Sequence, residues 1–222
     1  MSRSFSIPIA ERSISEETAN QITHGFGFLL SIVGAAILII ATNASTDALQ
    51  ITGCYYYAFS LVALFGVSTL SHSFERPDLR RFFRMLDQIC IFLFIAISFT
   101  CFGMVHLRDG NWWTLLAAIW ILTFMGIGFR LFRQEQTIST LCYVILGLLP
   151  LVAIEKIAQV GSGSGLALII AGGLSYILGV VFLAADGKRP YFHAVWHLLV
   201  IVGCLCHFLF LLNWVAMWQP TI

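Results

Sequence analysis

The chain has 222 residues, of which 59% are hydrophobic and 10% charged, with a net charge of +1 and a mean hydropathy of +0.90. A soluble domain usually carries about a quarter charged residues, so a water-facing globule is excluded. The near-neutral balance gives no footing for nucleic acid as a partner.

Residues 1–24 include Arg3, Glu11, Arg12, Glu16 and Glu17 and no apolar stretch long enough for a signal peptide. They read as a cytoplasmic segment in which Ser15–His24 starts as an amphipathic turn, capped by Ser13 or Ser15, and runs into the first helix. Seven apolar runs then follow: Gly25–Ala41, Ile51–Phe74, Gln88–His106, Trp112–Phe129, Ile138–Ile154, Gly165–Ala185 and Phe192–Trp214. A helix needs about 20 apolar residues to cross a hydrocarbon core. The runs are continuous rather than alternating, against a β-barrel, and lipid offers no partners to irregular backbone. Pro150 predicts a kink in the fifth helix, and Ser175 with Gly179 suits close helix packing in the sixth. Gly161-Ser162-Gly163-Ser164-Gly165 lacks the strand before it and the Lys-Ser/Thr after it that a phosphate loop requires, and reads as a flexible connection. The six cysteines (Cys54, Cys90, Cys101, Cys142, Cys204, Cys206) form no CxxC pair and read as apolar packing residues. The fold class is thus all-α, one seven-helix membrane domain over 1–222.

Orientation follows from the basic residues of the short loops. With the N-terminus inside, Arg3, Arg12, Arg76, Arg80, Arg81, Arg84, Arg130, Arg133, Lys188 and Arg189 lie in the cytoplasm, and Arg108 and Lys156 outside. The C-terminal tail from Met217 is then outside, with Trp214 and Trp218 suited to an interfacial belt.

Polar residues at membrane depth are costly and point to function. Ser68 and His72, spaced i, i+4, close helix two; Asp87 opens helix three; His193 and His197, again i, i+4, open helix seven; Glu17, Asn20 and His24 share a face before helix one. The predicted topology puts all of them in the cytoplasmic leaflet. Three imidazoles and a carboxylate converging there suit a divalent transition metal. His72, His193 and His197 would be the ligands, leaving the open fourth position of a catalytic zinc site. Asp87 could orient or deprotonate a water, and Ser68 could hydrogen-bond a ligand or an oxyanion. Plainer readings stand beside these: an Arg84–Asp87 ion pair, a structural His72, and a hydrogen-bonded cap for Glu17, Asn20 and His24. His207 lies 14 residues beyond His193, about 21 Å along a helix, and His106 at the outer end of helix three; neither can join the same metal.

The segment Glu16-Glu17-Thr18-Ala19-Asn20-Gln21-Ile22-Thr23-His24-Gly25, then Ser68-x-x-x-His72, Arg84-x-x-Asp87 and His193-x-x-Trp196-His197 occur in that order over nearly the whole chain. Together they resemble the hemolysin III / progestin and adipoQ receptor (PAQR) family, and the lack of a long cytoplasmic N-terminal domain resembles its bacterial members. The resemblance implies seven helices with the N-terminus inside and a zinc site on His72, His193 and His197, with the water-linked aspartate at Asp87 and the family serine at Ser68. It implies ceramidase-type hydrolysis of a lipid amide or ester, since adiponectin-receptor relatives are associated with such chemistry, or the cytolysis for which bacterial members were named. The sequence departs from the family at Ser71, where Tyr is common, and at Ser98-Phe99-Thr100-Cys101, where Thr-Tyr-Thr-Pro is frequent; these positions bear on cavity shape and substrate. Three functions remain open on the sequence: a zinc-dependent intramembrane hydrolase with a membrane lipid as substrate, a non-enzymatic zinc-stabilised sensor of membrane state, and a pore-forming haemolysin. The expected location is the bacterial inner membrane.

Overall fold

The computed structural model describes residues 14–108, 112–133 and 136–219. Arg3, Arg12 and the alternative cap Ser13 lie outside the described residues. Seven α-helices are present among them: α1 (Ile14–Thr42), α2 (Ala48–Ser71), α3 (Pro77–His106), α4 (Trp112–Arg133), α5 (Gln136–Leu148), α6 (Ile154–Ala184) and α7 (Phe192–Leu211). A 3-10 turn, Leu149–Ala153, joins α5 to α6, and a π-helical turn, Leu212–Ala216, extends α7. No strand occurs among the described residues.

Local chemistry sets the boundaries. Asp47 caps α2 by accepting the Leu49 N–H at 3.0 Å and pairs with Arg108 beyond α3. Pro77 occupies the first turn of α3, where its missing N–H costs nothing. Pro150 cannot donate within a helix, and it sits in the 3-10 turn, the predicted irregularity. Polar segments open α1 and α3 well before their apolar runs. The polar residues Glu16 to Thr23 belong to α1, and Asp78 to Asp87 belong to α3. Asp87 therefore lies ten residues inside α3 rather than at its start.

Six helical lengths are long and apolar enough to cross a membrane: Ile14–Thr42, Ala48–Ser71, Pro77–His106, Trp112–Phe132, Ile138–Ala184 and Phe192–Ala216. The sequence reading counts seven because it places a boundary between Ile154 and Gly165. In the structure helical residues run on through that stretch, interrupted at Ser162, whose φ of 52° and ψ of −162° are not helical. The exterior is apolar in the way lipid demands. Phe59 is 74% exposed and Leu174 61%, whereas Asn20, Ser68 and His197 are buried. A protein in water shows the reverse distribution.

Helix α1 packs on α2 and α7, α2 on α3, α3 on α4 and α5, and α6 on α7. The α6–α7 seam rests on glycines seven residues apart. A Cβ at Gly172 would stand 2.5 Å from the His207 ring, one at Gly179 2.6 Å from Trp196, and one at Gly165 3.3 Å from Phe210. Absent side chains on α6 thus admit aromatic rings from α7, and Ser175 Oγ donates to the Leu199 carbonyl at 2.7 Å across the same seam. At the far end of α7 the buried Gln50 amide donates to the carbonyls of Val215, Ala216 and Trp218 at 2.7, 3.1 and 3.0 Å. These helix-terminal carbonyls need partners that lipid cannot supply.

Two outcomes follow for thermal unfolding in detergent. Gly172→Leu should lower the midpoint, an overpacking cost of about 1–3 kcal/mol, and an unchanged midpoint would show the seam to be loose. Ser162→Gly should raise it by removing about 1 kcal/mol or more of backbone strain, while Ser162→Ala should not.

Candidate metal centre

His193 and His197 occupy the first two turns of α7 and face the same way, four residues apart. His72 is the residue that ends α2, its N–H bonded to the Thr69 carbonyl at 3.2 Å. Packing of α1 between α2 and α7 brings the three rings together. Their centroids lie 5.2 Å apart for His72–His193, 5.1 Å for His72–His197 and 4.5 Å for His193–His197. One ligand nitrogen from each lies within 4.8 Å of the others. Three imidazole donors at this separation could hold one metal ion, since a tetrahedral zinc at ~2.0–2.1 Å from each nitrogen would bring them to roughly 3.3 Å.

The Nδ1 atom of each ring already has a partner. His72 Nδ1 lies 2.7 Å from Glu17 Oε2, and the other oxygen of that carboxylate accepts from Arg84 at 3.1 Å. His193 Nδ1 lies 3.0 Å from Asp186 Oδ2. His197 Nδ1 lies 3.1 Å from Thr23 Oγ1, whose hydroxyl points its hydrogen at the Ala19 and Asn20 carbonyls, both at 2.9 Å. A carboxylate only accepts, and a hydroxyl whose proton is directed elsewhere also accepts. Each Nδ1 is therefore the N–H, and each Nε2 carries the lone pair. This is the tautomer a metal-binding histidine takes, with its second nitrogen anchored to a carboxylate or another acceptor.

The remaining predicted residues fall into two places. Asp87, from α3, stands beside Ser68 and Ser71 of α2 and near Arg84. The Ser71 hydroxyl donates to the Ser68 carbonyl at 2.8 Å. The carboxylates that touch imidazole nitrogens are instead Glu17 and Asp186. Asn20 and His24 do not form the hydrogen-bonded cap expected of them. Helix α1 begins at Ile14, so both lie within it, where the backbone N–H groups are already paired. His24 stacks on His197 instead, with centroids 3.5 Å apart and planes 28° apart. His106 and His207 lie elsewhere, against the carbonyls of Trp214 and Ile169. All six cysteines are free, as expected of packing residues, and the Cys54 and Cys101 sulfurs meet at 3.9 Å.

Sequence reasoning missed Thr23 and Asp186 as supports. Thr23 is one residue from His24 on α1, and only the angle of α1 against α7 turns it toward His197. Asp186 lies seven residues before His193, in a turn with Gly187 at a φ of 79° and Tyr191 at 62°. No helical periodicity connects them. Glu17 was visible as part of a polar face, but its partner was not.

Comparison with known proteins agrees with these motifs. The family model for haemolysin-III-related proteins matches residues 12–208. The chain is 40% identical over 204 residues to Hemolysin-3 of Bacillus cereus, an alignment covering 91% of this chain and 93% of that one. It is 34% identical over 198 residues to a Hemolysin-3 homolog of Bacillus subtilis (strain 168), covering 88% and 92%. It is 31% identical over 204 residues to the human monocyte to macrophage differentiation factor, covering 87% and 82%. The motifs, the helical architecture and these alignments agree: the chain belongs to the haemolysin-III-related family, to which the PAQR proteins are related.

Proposed function

We propose that the chain is a zinc-dependent intramembrane hydrolase acting on a lipid amide or ester, a single domain of seven spans with its N-terminus in the cytoplasm of a bacterial cell. The observation that carries this reading is the set of three imidazoles whose Nδ1–H groups are held by Glu17, Asp186 and Thr23 and which bring one ligand nitrogen each to within 4.8 Å of the others. Three neutral nitrogen donors with an open fourth position suit catalytic zinc better than magnesium or calcium, which prefer oxygen. A zinc ion there supplies Lewis acidity toward a carbonyl and acidifies water. Within this reading Asp87 serves as general base, and Ser68 beside it hydrogen-bonds the water or the developing oxyanion. The cluster lies among the ends of apolar helices, which is in keeping with a membrane lipid as substrate.

Seven spans are supported by the course of Ile138–Ala184. Its 47 residues would extend about 70 Å as one straight helix, over twice the hydrocarbon core. Tyr143 packs on Phe92, and Phe182 packs on Phe192 next to His193. Both contacts lie toward the histidine end, which supports a chain that crosses and returns between them, and the non-helical Ser162 stands midway. Arg76, Arg80, Arg81, Lys188 and Arg189 cluster at that same end, which supports a cytoplasmic face there by the positive-inside rule.

Elemental mass spectrometry of detergent-purified protein is the direct test. Wild type should carry about one zinc per chain, as a three-histidine site of this type does, and the His193→Ala/His197→Ala variant none. Asp87→Ala should keep the metal and lose lipid turnover. Zinc in neither protein after supplementation removes the chemistry. Zinc that raises the melting temperature, with no lipid consumed by wild type, would favour a structural centre tying α2 to α7 in a membrane-state sensor.

Glu17→Gln should weaken zinc binding about 10–100-fold, because the amide loses the charge that supports His72 and pairs with Arg84. Competition against a chelating fluorophore reads this directly, and an affinity equal to wild type would exclude Glu17 from metal support.

A further inference from the structure

Asn20 and His24 stand on one face of α1, one turn apart, directly behind the histidine cluster. Both are nearly fully enclosed, Asn20 at 1% exposure and His24 at 4%. Neither the Asn20 Oδ1 and Nδ2 nor the His24 Nδ1 and Nε2 meets a hydrogen-bond partner among the described residues. A buried polar atom left unmatched costs about 1–3 kcal/mol, and a native structure that holds several together calls for a ligand or water to complete them. The rest of the centre behaves differently, since Glu17, Thr23 and Asp186 all engage an imidazole. Among the described residues of α1, Asn20 and His24 are the buried side chains left unmatched, and no support of the metal ligands uses them.

Their chemistry restricts what can complete them. A primary amide offers one acceptor oxygen and two N–H donors, and a neutral imidazole one donor and one acceptor. The surroundings are apolar: the Phe65 ring meets His24 edge-on at 5.4 Å, and Phe65 and Ile201 close over Gly27 in the next turn. A cation would lose its hydration there and face the charge of the proposed metal, and an anion, having acceptors only, would leave the Asn20 oxygen and the His24 acceptor nitrogen unmatched. An ester or ether, having acceptors only, would leave the Asn20 oxygen and the His24 acceptor nitrogen unmatched. A neutral group with both a donor and an acceptor, such as a secondary amide or a hydroxyl, matches both. The stacking of His24 on His197 at 3.5 Å places such a group immediately beside the proposed metal position.

We propose that Asn20 and His24 form a specificity subsite that binds a neutral donor-and-acceptor group of the lipid ligand, and so discriminates it from ester-only or ionic lipids. This rests on the reading that a ligand reaches the histidine centre, but it requires neither turnover nor the identity of the metal. Each residue has a role the metal does not need, so removing either should leave metal content intact.

The test uses two neutral probes of equal chain length, N-methyldodecanamide, with one donor and one acceptor, and N,N-dimethyldodecanamide, with the acceptor alone. Both are titrated into full-length protein in nanodiscs, with binding read by intrinsic tryptophan fluorescence. Wild type should prefer the N-methyl probe by about tenfold, the value of one buried hydrogen bond. The preference should fall to near unity in Asn20→Leu and in His24→Phe, which keeps the stacked ring, and persist in His24→Gln, which keeps a donor and an acceptor. Metal content should match wild type in all three. Equal binding of the two probes by wild type would mean that the pair holds water only and would overturn the inference. So would an undiminished preference in Asn20→Leu, or loss of metal from both Asn20→Leu and His24→Phe, which would make the pair a support of His197. Preference without hydrolysis of any amide or ester would retain the subsite and reject the hydrolase. Hydrolysis with no dependence on Asn20 or His24 would do the reverse.

Discussion

A hydrocarbon medium gives a polar group nothing to bond, so each one that this chain carries to membrane depth must be matched within the protein or by something the protein binds. That constraint organises the structure at both ends. At the far end the Gln50 amide takes three carbonyls from the terminus of α7, and His106 reaches the Trp214 carbonyl at 2.6 Å. At the other end three imidazoles, two carboxylates and a threonine hydroxyl satisfy one another in pairs. Between them the exterior is apolar and the side-chain hydroxyls bond mostly within their own helix, as Ser60 does to Tyr57.

Helix association in such a medium cannot draw on expulsion of water and rests on close contact and on polar pairs. The α6–α7 seam shows both, with rings from α7 lying where α6 has no side chains and the Ser175 hydroxyl bonded across. This seam carries consequences for the metal centre. Trp196, which packs on Gly179, precedes His197 directly, so the depth at which α7 settles against α6 sets the depth of the second imidazole. Helix α1 completes the arrangement from the opposite side. Glu17 anchors the ring at the end of α2, and Thr23 anchors a ring on α7. Residues of the α1 polar face thus act as the frame of a centre whose donors all come from other helices.

Much of this was legible in the chain itself. Composition and the length of apolar runs determined a helical membrane protein, because a span needs a fixed number of apolar residues and nothing else about its environment. The i, i+4 spacing of His193 and His197 determined a shared face, because helical periodicity is local. Where apolar length was the only guide, boundaries moved: the polar first turns of α1 and α3 are helical, which places Asp87 well inside α3. The Gly-Ser stretch read as a flexible connection, yet helical residues continue up to Ser162 and resume after it.

Tertiary structure alone decided the rest. That His72 meets His193 and His197 depends on α1 wedging between α2 and α7, a packing that no periodicity encodes. The partners of the three Nδ1 atoms depend on the rotation of α1 and on the turn through Asp186, Gly187 and Tyr191, whose left-handed residues aim a loop carboxylate at a helix ring. The same rotation leaves Asn20 and His24 enclosed and unmatched, which the sequence could present only as two polar residues on one face. Local spacing determines which side chains share a helix face. Only the packing of one helix against another determines what that face meets, because those contacts join residues far apart in the chain, 55 positions for Glu17 and His72 and 174 for Thr23 and His197.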